Sequence, residues 1–131
     1  MGSEMCIRDR IGDFNELGGY RAMGRLLDKR ADFSAVIALN DQMAYGAMLA
    51  LSEAGLDIPG DISLLGFDDL PHSAYTVPPL TTISQPVNRI GAMAASTVLA
   101  MSAGYEQTVE QSVAASIVVR SSTANFIGGE R

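Results

Sequence analysis

The stretch Ala35-Val36-Ile37-Ala38-Leu39-Asn40-Asp41-Gln42-Met43-Ala44-Tyr45-Gly46-Ala47-Met48 decides the fold. Its first five residues are apolar, too short a run for a helix and rich in strand formers. Asn40-Asp41 then interrupts. From Asp41 the period changes: Met43, Ala44, Ala47, Met48 and Leu51 fall on one face of a helix, and Gly55 is placed as the left-handed residue that stops it. The unit is strand, turn, helix.

The same rhythm extends in both directions. Upstream, Ile11 to Phe14 reads as the end of a strand, Asn15 as a helix cap, and Leu17, Tyr20, Met23 and Leu27 as the apolar face of a helix over 16–29. Downstream, Ile62 to Phe67 is a strand, followed by a loop that Pro71, Pro78 and Pro79 keep irregular. Thr81 to Ser84 is β-branched, and Pro86 opens a helix in which Val87, Ile90, Ala94, Val98 and Met101 share a face before Gly104 ends it. A last strand is expected from about Ser112 to Arg120. Alternating strands and helices predict an α/β fold: a three-layer, Rossmann-like sheet with parallel pairing through right-handed crossovers.

Bulk properties exclude several function classes. The chain has 131 residues, 47% of them apolar, enough for one modest domain that buries roughly two-thirds of its unfolded surface. The formal net charge is −6, so the segment lacks the basic face that supplies nucleic-acid affinity. Cys6 is the single cysteine, which rules out a disulfide framework and fits a cytoplasmic location. No apolar run approaches the roughly 18 to 20 residues that cross a bilayer. The charged, aperiodic residues 1–10 are expected to be a foreign or disordered leader.

In an open parallel sheet, ligands bind beyond the carboxyl ends of the strands. Three turns lie there, carrying Phe14, Asn40 and Asp68. An aromatic face, an amide and a carboxylate suit the C–H face and adjacent hydroxyls of a polyol better than a metal. Each also has a plainer reading. Phe14 could be core, Asn40 and Asp41 could only cap a helix, and Asp68 and Asp69 could be turn formers. His72 is the only histidine and reads as a solvated loop residue. There is no Gly-x-Ser-x-Gly elbow, and Gly18-Gly19 lacks a phosphate-binding spacing. The reading is of a non-enzyme with no metal and no cofactor.

Several linked stretches resemble the LacI/GalR regulators. They are Gly12-Asp13-Phe14, Gly19-Tyr20-Arg21-Ala22-Met23, Ala38 through Ala47, Gly55 through Asp69, and Pro78-Pro79-Leu80-Thr81-Thr82-Ile83-Ser84-Gln85-Pro86. The resemblance covers about 11–123. It implies a truncated type I periplasmic-binding-protein-like clamshell of which this chain holds the C-terminal subdomain: 11–85 and a returning strand at 111–123, with a tail at 124–131. The helix within 86–110 would belong to the N-terminal lobe, which leaves its apolar face without a partner. Phe14, Asn40, Asp68 and Gln85 would contact a small effector, a sugar before a purine or nucleoside. Tyr45 and Tyr75 would lie toward the second subunit of a homodimer. Operator DNA would be bound only through an N-terminal headpiece, and no membrane is involved. The rival reading is a periplasmic sugar-binding protein of a transport system; an enzyme built on Asp68-Asp69 is the third.

Overall fold

A computed structural model describes residues 13–29, 33–105 and 111–125. The expected leader at 1–10, Ile11 and Gly12 of the first strand end, and 126–131 of the tail lie outside them. The elements are α1 (Glu16–Asp28), β1 (Ala35–Ile37), α2 (Asp41–Glu53), β2 (Ser63–Phe67), a 3₁₀ turn at Pro71–Ala74, β3 (Thr81–Ser84), α3 (Val87–Ser102) and β4 (Ser116–Val118). The strands form one open sheet in the order β1-β2-β3-β4. The α/β class holds.

Local chemistry explains the element ends. Asn15 and Asn40 both have extended backbone and accept, through their side chains, from Gly18 N and Met43 N respectively, each satisfying one of the donors that a helix start leaves free. Gly55 has φ of +72°, which a glycine adopts without steric cost, and terminates α2 as expected.

The core lies between α2 and the sheet. Met43, Ala44, Ala47, Met48 and Leu51 are buried with Met23 of α1 and with Leu64 and Leu80. All five predicted α2 positions face inward. On α1 the contact face is rotated from the predicted one: Leu17 is exposed, while Gly18, Gly19, Ala22 and Met23 are buried. The reason is a close helix crossing. A Cβ at Gly19 would overlap the Met43 carbonyl, and one at Gly46 would overlap the Glu16 carbonyl. Backbone packs on backbone, so small residues occupy the seam and the larger Leu17 is displaced from it.

The last strand departs from expectation twice. It is confined to Ser116–Val118, and it pairs antiparallel with β3, in the register Thr82↔Val118, Ile83↔Ile117 and Ser84↔Ser116, whereas β1-β2 and β2-β3 are parallel. A parallel strand needs a crossover that carries the chain back to the opposite end of the sheet. Here only Gln85 and Pro86 separate α3 from β3, but α3 does not lie on the sheet. None of its residues is buried, and Gln111 Nε2, beyond it, donates to Thr97 Oγ1 at 3.1 Å. The chain comes back at the end of the sheet from which it left.

The predicted apolar face of α3 is accordingly open. Val87 is 63% exposed and Val98 64%, and Ile90 and Ala94 are also exposed. A helix of this length without a packed face is marginal in water. Amides of α3 are expected to exchange at least ten-fold faster than those of α2 in hydrogen-exchange mass spectrometry; equal protection would contradict its lack of packing. At the helix seam, Gly46→Ala forces α1 from α2 and should cost about 2 to 3 kcal/mol in a urea melt.

Candidate functional site

The sheet brings the predicted positions to one rim. Because β1, β2 and β3 are mutually parallel, the residues just past their carboxyl ends emerge side by side. Asn40 follows β1, Asp68 follows β2, and Gln85 follows β3. Phe14 joins the row through Asn40, whose Nδ2 donates to the Phe14 carbonyl at 3.0 Å. Gln85 Nε2 donates to Asp68 Oδ1 at 3.1 Å. The structure thus shows two bonded pairs along one edge, Phe14 with Asn40 and Asp68 with Gln85.

Burial separates the alternatives left open by spacing. Phe14 is 64% exposed, so it is not core. Asn40 is a cap through Oδ1 and a loop clamp through Nδ2, doing its structural work while sitting on the rim. Asp68 is exposed, and its one hydrogen bond to Gln85 leaves acceptor capacity on the carboxylate.

The backbone supplies a sharper marker. Among the described residues, three that are not glycine have positive φ, and all three lie at this rim: Phe14 at +53°, Asp68 at +108° and Asp69 at +54°. Such residues cost about 1 to 3 kcal/mol each and persist only where their surroundings over-determine them. Asp68 N donates to Ile83 O at 2.9 Å. Asp69 is bound by Arg120, whose Nη2 lies 2.7 Å from Oδ1; hydrogen bonding and charge from that guanidinium hold the Asp69 carboxyl below the usual carboxylate range.

Beneath the rim lies a residue that spacing identified only as part of a cap. Asp41 is fully buried. Thr82 Oγ1 donates to its Oδ1 at 2.6 Å. Ser73 Oγ and Leu70 N donate to its Oδ2 at 2.6 Å and 2.8 Å. Since the Ser73 hydroxyl proton is directed to Asp41, the Tyr45 hydroxyl, 2.8 Å away, is the donor to Ser73 Oγ. Gly66 makes room for this arrangement, because a Cβ there would overlap Asp41 Oδ1. Asp41 also stands in the first turn of α2, where the helix dipole favours a negative group.

The two tyrosines differ. Tyr45 is half-buried, with its ring edge-on to His72 at 5.1 Å between centroids, and burial raises its pKa. Tyr75 is 79% exposed. Asp41, Ser73, Thr82 and Arg120 are the members of this neighbourhood that sequence reasoning missed. The available signal was the polar Thr81-Thr82 pair in a short strand next to a buried one.

Comparison with known proteins agrees with the fold. Residues 6–123 match the family described as periplasmic binding protein-like domain; the match begins within the segment read as a leader. The chain is 43% identical over 102 residues to the HTH-type transcriptional regulator GalR of Escherichia coli (strain K12), covering 76% of this chain and 30% of that protein. Among solved structures, a lac repressor dimer bound to operator and the anti-inducer ONPF superposes with a TM-score of 0.79 at 37% identity, covering 86% of this chain and 39% of that one. A LacI family transcriptional regulator from Enterococcus faecium with bound ribose gives a TM-score of 0.76 at 35% identity, covering 86% and 42%. The chain belongs to the periplasmic binding protein-like family, and within it to the effector-binding domain of LacI/GalR regulators. It spans about a third of the length of such relatives.

Replacing Asp41 by Ala leaves two hydroxyls and a backbone amide without their acceptor. The expected cost is about 3 kcal/mol or more in denaturant unfolding. A loss under about 1 kcal/mol would mean that Asp41 does not hold the rim together.

Proposed function

We propose that this segment of a LacI/GalR-type regulator forms one wall of an effector pocket, with Phe14, Asn40, Asp68 and Gln85 turned toward a small polyol. The observation that carries the reading is the concentration of positive-φ, non-glycine backbone at Phe14, Asp68 and Asp69 on a single rim. Strained backbone of this kind clusters at ligand clamps. An exposed aromatic ring can stack on the C–H face of a sugar, while a carboxylate and an amide accept from and donate to its hydroxyls. The ribose-bound relative supports a sugar as one candidate effector.

In the whole protein, effector held between two lobes favours one lobe orientation, and a dimer passes that bias to DNA-binding headpieces. A coupling of about 1 to 3 kcal/mol suffices. The 3₁₀ turn at Pro71–Ala74 is the proposed approach to the second subunit: Tyr75 is exposed beside it and Tyr45 backs it through Ser73. Segment 86–110 is assigned to the other lobe, in keeping with the open face of α3. The protein is read as a cytosolic regulator without enzymatic activity. The resemblance to transcriptional regulators favours this over a transport-linked binding protein.

The test is thermal stabilisation of the full-length protein by a panel of pentoses, hexoses, purines and nucleosides. At least one sugar should raise Tm. Asp68→Asn should weaken that sugar by roughly a hundred-fold in Kd, about 3 kcal/mol, through loss of charge-assisted hydrogen bonds. A panel in which only purines or nucleosides bind would remove the sugar assignment, and unchanged sugar affinity in Asp68→Asn would remove Asp68 from the pocket.

A further inference from the structure

Arg120 lies on the chain just beyond β4 and is not among the residues proposed to contact the effector, yet its contacts converge on the strained turn. Its backbone N donates to Thr81 Oγ1 at 3.0 Å, Nη1 donates to the Leu80 carbonyl at 2.8 Å, and Nη2 donates to Asp69 Oδ1 at 2.7 Å. The side chain is only 19% exposed. The guanidinium is thus anchored to the segment entering β3 before it reaches Asp69. Two divergent donors on one rigid plane allow this, and a lysine ammonium could not reproduce both contacts in the same geometry.

What the turn requires matches what Arg120 supplies. Asp68 and Asp69 both hold positive φ, and the Asp69 amide has only a long contact to Thr82 Oγ1, 3.4 Å. The Asp69 carboxylate carries the strong constraint, as the Arg120 pair is charge-assisted and short. Leu70 N, the next amide, is held by Asp41. With Asp69 fixed from one side and Leu70 from the other, the Asp68 backbone is held at the rim, where Gln85 Nε2 steadies its carboxylate.

We infer that Arg120 is a positioning residue for effector recognition: it clamps Asp69 and so presents Asp68 to the ligand, without touching the ligand itself. The inference rests on the reading of Asp68 as an effector contact, and its first test is independent of any ligand. In the full-length protein, hydrogen-exchange mass spectrometry compares wild type with Arg120→Gln, Arg120→Lys, Asp69→Asn and the Arg120→Gln/Asp69→Asn double variant. Arg120→Gln should speed exchange across 68–70 at least ten-fold while α2 amides stay as protected as in wild type. Arg120→Lys should restore part of the protection. The double variant should be no worse than Arg120→Gln alone, because the two side chains act through one contact.

The second arm measures Kd for D-ribose and D-galactose in the same variants. For a sugar that binds wild type, Arg120→Gln should weaken binding at least ten-fold and Arg120→Lys less. Selective loosening of 68–70 with no sugar binding to any variant would support the clamp while sinking the sugar assignment. Exchange at 68–70 unchanged in Arg120→Gln, or raised equally in α2, would overturn the inference, as would sugar affinity unaltered despite a loosened turn.

Discussion

The rim at the carboxyl ends of β1, β2 and β3 depends on a single buried carboxyl group. Asp41 accepts from Thr82 of β3, from Ser73 of the 3₁₀ turn and from the amide of Leu70, so one side chain at the start of α2 ties together three separate parts of the chain. A buried carboxyl group is tolerable only when its hydrogen-bonding capacity is met by well-placed donors. No buried side-chain polar atom among the described residues lacks a partner. The arrangement also constrains the sheet, since Gly66 of β2 must lack a side chain for the Asp41 carboxyl to lie over the strand. Helix, sheet and rim loop are therefore placed relative to one another by polar geometry, with the apolar contacts of α2 supplying the bulk of the burial.

The rim adds a second layer of constraint. Asn40 serves as a helix cap and as a tether for the Phe14 carbonyl. Structural and binding roles were posed as alternatives for such residues, but one amide has enough polar atoms to serve both. The same holds for the Asp68-Asp69 turn. It is a turn, as local chemistry suggests, and its strain makes it more than a turn, because unfavourable backbone at adjacent non-glycine residues has to be held by contacts from elsewhere.

Much of this was legible from short-range pattern. The Asn15 and Asn40 caps, the inward face of α2 and the Gly55 stop all follow from periodicity and from residues within one or two helical turns, whereas the open face of α3 follows only from the family resemblance. What was not legible depends on distance along the chain. The donors to Asp41 come from 29, 32 and 41 positions away, and Arg120 reaches Asp69 across 51. The rotation of α1 that exposes Leu17 is set by glycine contacts with α2, which no pattern within α1 reveals. The parallel direction of β1, β2 and β3 was open to inference, whereas the direction of β4 was misjudged because a helix between two strands was assumed to be a crossover.

That antiparallel pairing has an architectural meaning. Ser84 and Ser116 are opposite one another at the rim, so the strands flanking residues 85–115 already stand as the two arms of a hairpin, whose ends a turn of a few residues could join. The sheet is closed to this excursion: everything between the arms is an insertion at a hairpin tip. A protein built this way can exchange, lengthen or remove what it carries there while the hydrogen-bond ladder of its sheet stays intact.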